Sequence, residues 1–316
     1  MSREDVEIRR FEAPDAAGAA DLHRRISPEV VMTAELLLHL GASLPARAHA
    51  ETWVAAEGEK VVGLAEGRLR WRAADSGIGI VRVWVAEERR GRGLGGMLLG
   101  LAEEHLVRHG AHRLRSSVGP DPAGRRFAER HGYGRTRSER FGTLDPRTAD
   151  LSELPSLEAA RLAEGYRLVP LRELLDRRHD LHALYEATED DIPSDDPRSP
   201  LAFEEWEPET LGNPLLDPDG SITVLAGERP VSFAWLLVDR EHGVAEHEMT
   251  GTLPELRGRG LARLAKLAAI RWARDHGVTC LLTANDADNA PMLAVNERLG
   301  YRPTVVRDEV VKVVRS

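Results

Sequence analysis

PELRGRGLARLAK, residues 254–266, sets Arg257, Gly258, Arg259 and Gly260 between a strand-like stretch and an apolar, helix-like one. Where a strand ends in glycines and passes straight into a helix, several backbone N–H groups converge and the helix dipole adds partial positive charge. Glycine permits close approach of a ligand or a positive φ, and flanking arginines add charge-assisted hydrogen bonds. The stretch reads as an anion cradle, better suited to a phosphate or pyrophosphate than to a carboxylate. EERRGRGLGGMLL, residues 87–99, sets Arg90, Gly91, Arg92, Gly93, Leu94 and Gly95 in the same order.

The two stretches belong to a longer internal repeat. Placing Arg90 on Arg257 gives an offset of 167 that extends both ways. IVRVWVAEE (80–88) falls on HEMTGTLPE (247–255), and RHGAHRLRS (108–116) on DHGVTCLLT (275–283). Near the ends the offset becomes 168, where HGY (131–133) meets LGY (299–301). The economical reading is two copies of one α/β domain with a mixed sheet: an N-terminal domain over 1–145, a partly helical linker over 146–164 and a C-terminal domain over 165–316. In the second copy, 221–238 reads as two strands around a GERP turn and 244–253 as a third. A helix over 261–276 follows, with Leu261, Leu264, Ala265, Ala268 and Trp272 as its apolar stripe and Arg263, Lys266, Arg271 and Arg274 facing water.

Composition bounds the function. With 43 basic against 52 acidic residues, a net charge of −9 gives no electrostatic footprint for general nucleic-acid binding. No apolar run approaches the ~20 residues that span a bilayer, and the N-terminus carries no apolar signal segment, so we expect a cytoplasmic protein without a membrane partner. The single cysteine, Cys280, excludes an intramolecular disulfide and a cysteine metal cluster and reads as a small buried hydrophobe. The histidines lack metal-ligand spacing, so no metal is expected.

Three phosphate-binding patterns compete for the glycine turn. No Gly-Lys-Ser/Thr follows it, which removes the nucleoside-triphosphate loop. A dinucleotide fingerprint is met superficially by Gly91, Gly93 and Gly96, but Arg263 stands at the third glycine's place in the second copy. The third pattern is Arg/Gln-x-x-Gly-x-Gly/Ala, met by Arg90, Gly93 and Gly95 and by Arg257, Gly260 and Ala262. In this the chain resembles the coenzyme A pyrophosphate loop of the GNAT superfamily of acyl-CoA-dependent N-acetyltransferases. Asn289, followed eleven positions later by Gly300 and Tyr301, extends the likeness. Nearly the whole chain then reads as two tandem GNAT domains, in a layout similar to tandem acetyltransferases of the mycothiol synthase kind.

The resemblance implies acetyl-CoA as cosubstrate and a small-molecule amine as acceptor, in a monomer or homodimer. It implies that coenzyme A meets Thr250, Gly251 and Thr252 and the loop Arg257, Gly258, Arg259, Gly260, Leu261 and Ala262, with Asn285 and Asn289 nearby. Val83, Val85 and Arg90 to Gly95 are the first copy's counterparts. Counting back eleven from Arg257 reaches Glu246, the family's glutamate base, and period-two alternation sets Glu248 on the same face unless a bulge intervenes. Two carboxylates at that spacing raise one pKa toward the working range of a base. The first copy has Gly79 and Val81 there, so chemistry is expected in the second copy. The family's usual tyrosine acid is replaced by Asn296 and Ala128, leaving water or Tyr185 as proton donor. The acidic segment 186–209, with Asp190, Asp191, Asp195, Asp196, Glu204, Glu205 and Glu207 around Trp206, reads either as a lure for a cationic amine or as a solvated charge run. A non-catalytic acyl-CoA-binding or regulatory protein is the alternative function.

Overall fold

A computed structural model describes residues 6–73, 77–189 and 199–314. In chain order its strands and helices are β1 Glu7–Arg10, α1 Ala16–Ile26, α2 Ala34–Ser43, β2 Glu51–Glu57, β3 Lys60–Leu69, β4 Ile78–Val85, α3 Leu94–Arg108, β5 Arg113–Val118, α4 Pro122–Arg130 and β6 Gly134–Leu144. There follow α5 Leu154–Ala163, β7 Tyr166–Pro170, α6 Arg178–Glu189, α7 Phe203–Trp206, β8 Ile222–Ala226, β9 Arg229–Asp239, β10 Val244–Thr252, α8 Leu261–Asp275, β11 Cys280–Asp286, α9 Ala290–Arg298 and β12 Arg302–Val313. The chain forms two compact units, and Asp190, Asp191, Asp195 and Asp196 of the acidic segment lie outside the described residues.

The first unit takes the chain up to Glu139 and its last strand from Val306 onward. Its strands run β1-β2-β3-β4-β5, antiparallel except for the parallel pair β4/β5, and β12 lies antiparallel to β5 from Asp308 to Val313. The second unit runs from Arg140 to Val305, apart from a short piece of chain around Pro200. Its strands run β7-β8-β9-β10-β11, again antiparallel except for β10/β11, with the end of β6 beside β11. Thus the repeat holds from strand to strand, while the closing strand of each copy is shared out between the units.

In the second unit β9, sequence RPVSFAWLLVD, is buried on both faces because α6 covers one and α8 the other. The apolar stripe of α8 packs on β8, β9 and β10 as its periodicity requires, and the helix ends just before Gly277. One residue departs from the expected polar face. Lys266 is only 1% exposed, with Nζ 5.1 Å from the centre of the Tyr301 ring, and no carboxylate pairs with it among the described residues. The covered face of α8 is wider than its sequence stripe because α5 and the short turn Pro146–Thr148 pack on the helix as well as the sheet. Arg263 and Arg271 on that side reach Glu153 and Glu158. Cys280 is half-buried rather than buried.

Burial pushes the Lys266 ammonium down to about 7 from an ordinary 10.5. Between those values the unfolded chain binds more protons than the folded one, so this group makes stability rise with pH across that window. Lys266→Met removes the buried charge and should raise the melting temperature by several degrees at pH 7, with the gain shrinking toward pH 10. Melting curves at the two pH values check this; a gain that is the same at both, or a loss at pH 7, contradicts it.

Candidate active site

The site is built on a parting of strands. β10 pairs with β11 only through Val244, Ala245 and Glu246, although β10 continues to Thr252 and β11 to Asp286. Each arm is held elsewhere. β10 stays on β9 as far as Thr252, where the Ser232 hydroxyl donates to the Gly251 carbonyl at 2.7 Å and lies 2.8 Å from Thr252 Oγ1. β11 is tied to α9 by Asn285 Oδ1, which accepts from Asn296 Nδ2 at 2.6 Å. The wedge leaves the main chain of Thr250, Gly251 and Thr252 without a strand on that side among the described residues. β4 and β5 part in the same way after Ile80, which places Val83 and Val85 on the open stretch of the first unit.

At the mouth of the wedge lies the glycine turn. Gly258 and Gly260 have φ of +75° and +76°, and a Cβ at either would meet no atom within 4 Å. The positive φ explains glycine at both places, and the open space leaves the backbone bare. From Gly258 to Ala262 no backbone N–H donates to a described residue, because helical bonding into α8 starts with Leu264 N–H on the Gly260 carbonyl at 3.0 Å. Five successive donors at a helix N-terminus form an anion cradle. Gly91 and Gly93 repeat the geometry at +73° and +88°, again with undonated N–H groups as far as Gly95. There Arg90 is engaged by Asp121 at 3.2 Å, where the second copy carries Asn289.

Aromatic and acidic side chains meet on the α6 face of the sheet. Trp235 and Phe233 on β9 border Tyr185 of α6, with ring centres 6.2 Å apart in each case. Glu246 pairs with Leu237 and so faces the same way. A β-bulge follows between His247 and Met249 and keeps Glu248 on this face. The Tyr185 hydroxyl donates to Glu248 Oε1 at 3.2 Å, whereas Glu248 Oε2 is buried and accepts nothing among the described residues. Burial, opposed by the Tyr185 hydrogen bond and reinforced by Glu209, Glu189 and Glu246, pushes the Glu248 carboxyl up to about 7. Burial holds the Tyr185 hydroxyl well above its usual range, so it stays a donor. Thr250 Oγ1 and the indole N–H of fully buried Trp206 also lack partners among the described residues.

Other residues singled out in the sequence have local structural partners. Asn289 caps α9 by accepting from Met292 N–H at 3.3 Å. Asn296, at the family tyrosine's position, is buried and bonded to Asn285, so no acidic hydroxyl stands there. On the opposite face of β10, His247 Nε2 lies 2.8 Å from Tyr301 Oη, and burial, with Lys266 close by, keeps His247 neutral. At the two matched positions of the first unit no carboxylate fits: a Cβ on Gly79 would come within 2.8 Å of Leu114 and 2.9 Å of Leu106 on the α3 face, and Val81 is fully buried. Among the described residues no group of three or more His, Cys, Asp or Glu is placed to hold a metal ion. None of their helices is long and apolar enough to cross a membrane.

The acetyltransferase (GNAT) family profile matches residues 18–133 and again 180–301. This chain belongs to the GNAT acetyltransferase family. That is the class of acyl-CoA-dependent N-acetyltransferases which the glycine turn and the repeat lead one to expect. A mycothiol acetyltransferase of Saccharomonospora viridis is 30% identical over 77% of the chain and 76% of that protein. One of Kytococcus sedentarius is 27% identical over 92% of each. The match to one of Pseudarthrobacter chlorophenolicus, 34% identical, spans only 28% of that protein. Among solved structures, a tandem GNAT protein from the clavulanic acid biosynthesis pathway superposes with a TM-score of 0.71 at 21% identity, covering 98% of this chain and 99% of that one. A GCN5-related N-acetyltransferase from Sphaerobacter thermophilus does so with 0.70 at 18%, covering 100% and 98%. These likenesses show that the tandem GNAT fold extends over the whole chain.

Gly251 is where α6 and β10 of this GNAT unit touch. A Cβ there would fall 2.6 Å from Cβ and Oγ1 of Thr188, whose hydroxyl is fixed on the Leu184 and Tyr185 carbonyls. Gly251→Ala should therefore cost about 1–3 kcal/mol of stability, read from the urea midpoint. An unchanged midpoint would show that α6 can retreat freely.

Proposed function

We propose that the second unit transfers an acetyl group from acetyl-CoA to a primary amine of a cationic small molecule, with Glu248 as general base. The observation that carries the reading is the bulge in β10, which sets a carboxylate of raised pKa, with one oxygen unpartnered, on the strand that forms the wedge. The undonated amides of Gly258 to Ala262 fit a diphosphate, and Thr250 Oγ1 offers a free polar atom on the open strand. In this reading the loop Arg257 to Ala262 holds the diphosphate of coenzyme A and Thr250 to Thr252 its pantetheine arm, with Asn285 and Asn289 bordering the wedge. Bound acetyl-CoA supplies the acetyl group as a thioester.

At neutral pH an aliphatic amine arrives protonated and cannot attack a carbonyl. Glu248 Oε2 removes that proton, and a base of pKa about 7 is about half ionised at neutrality while still drawing the proton effectively. Glu246 remains beside it as a second carboxylate. Together with Glu189 and Glu209 it raises the Glu248 pKa and gives the pocket a negative field that favours a cation. The rings of Tyr185, Trp206, Phe233 and Trp235 add aromatic faces to the wall of that pocket. Likeness over most of the chain to mycothiol acetyltransferases supports acetyl transfer by a two-unit chain. The first unit keeps a cradle but lacks the carboxylates, and Asp121 beside Arg90 opposes a diphosphate, so we assign it no chemistry.

A second reading rests on Asn296: with no tyrosine to return a proton, the chain binds acyl-CoA without turnover. Release of free thiol from acetyl-CoA over a panel of amines separates the two, turnover above background supporting the first.

Two substitutions test the leading reading. Arg257→Glu should weaken acetyl-CoA binding at least tenfold in calorimetric titration; an unaltered affinity overturns the loop assignment. For the wild type, kcat/KM should rise with pH through about 7 as Glu248 ionises. Glu248→Gln should lower it by roughly 10²–10⁴-fold while leaving acetyl-CoA affinity intact, and should abolish that rise. Full activity in Glu248→Gln removes the base assignment.

A further inference from the structure

We propose that Tyr185 is a positioning residue that holds Glu248 by one oxygen, leaving Oε2 as the sole proton acceptor, and sets the pH at which the site switches on. This rests on Glu248 being the base. Glu248 sits in a bulge, where the strand ladder does not fix the carboxylate by itself. The one hydrogen bond it receives among the described residues is from Tyr185 to Oε1, at 3.2 Å. Tyr185 is in turn wedged against Trp206, Phe233 and Trp235, and the Thr188 hydroxyl engages its carbonyl one turn on. The donor therefore stands on a rigid ring, while the acceptor stands on an irregular strand.

The charges that raise the Glu248 carboxyl come from three sides: Glu209 from the π-helical turn Glu207–Leu211, Glu189 from α6 and Glu246 from β10 itself. Burial and these carboxylates disfavour the ionised form, and the Tyr185 hydroxyl favours it. Without that bond the carboxyl would stay protonated at neutrality and could not take a proton from an ammonium. A hydrogen bond to a charged group shifts such an equilibrium by about one to two pH units. Because Tyr185 remains protonated across the working range, it serves as a fixed donor rather than as a titrating partner.

The test is the pH profile of kcat/KM for Tyr185→Phe, which keeps the ring and its packing. The rise should move upward by about one to two pH units, with activity about tenfold or more lower at pH 6.5 and restored to within a few-fold at pH 9. The acetyl-CoA dissociation constant should not change. A profile that superimposes on the wild type overturns the inference, and so does an equal loss at every pH, which would make the hydroxyl a proton donor. If Tyr185→Phe does not fold, 3-fluorotyrosine at position 185, a stronger donor, should move the rise downward; no movement overturns the inference. Failure of Glu248→Gln to alter activity would sink the underlying base assignment instead, so the two failures are told apart.

Discussion

The structure of the second unit depends on the parting of β10 from β11 after Glu246. A parallel pair that stayed zipped would bury the main chain of Thr250 to Thr252 in a ladder and leave no room behind the glycine turn. The wedge stays open because each strand has a stronger claim elsewhere: β10 on β9 and on the Ser232 hydroxyl, β11 on α9 through the Asn285–Asn296 bond. The bulge between His247 and Met249 follows directly after the last residue of β10 that pairs with β11. Strand divergence and glycine turn recur in β4, β5 and the turn at Gly91 to Gly93, whereas β4 keeps an unbroken register on β3 and has no bulge.

The two faces of β10 carry opposite solutions to buried charge. On the α6 side carboxylates crowd one another and a tyrosine donor offsets part of the cost, leaving a group that titrates near neutrality. On the α8 side Lys266, over the Tyr301 ring, and His247, bonded to Tyr301, are both driven toward their neutral forms. Both arrangements cost stability, and only the first has an unpartnered oxygen and a neighbouring opening to give that cost a chemical use.

Most of the architecture was legible because it is written in local terms. Glycine turns, the periodicity of the long helix and the 167-residue repeat all depend on short stretches, and the strands within 221–238 and 244–253 and the helix over 261–276 follow from them. The sharing of β6 and β12 between units was not legible, because an alternating strand with charged residues reads the same whichever sheet it joins. Lys266 misled for a related reason: a helix covered on two sides has a wider apolar face than its sequence stripe reveals. At the site, the spacing of Glu246 and Glu248 pointed to paired carboxylates. That Glu248 receives the Tyr185 hydroxyl depends on the bulge and on α6 crossing over it, a contact 63 residues apart in sequence. Glu189, Glu209, Phe233 and Trp235 carried no pattern of their own, and only the fold brings them to Tyr185 and Glu248.

The central claim is that bare main-chain donors at the start of α8 take the diphosphate of coenzyme A and so aim its arm into the wedge. Amide hydrogen exchange resolved to single residues, with and without coenzyme A, tests this most directly. The account expects strong slowing for Gly258 to Ala262 and for the open stretch of β10 through Thr250, with little change on the β9 side of the same strand. Exchange at those amides that is unaltered at saturating coenzyme A, or slowing confined to another surface, would contradict it.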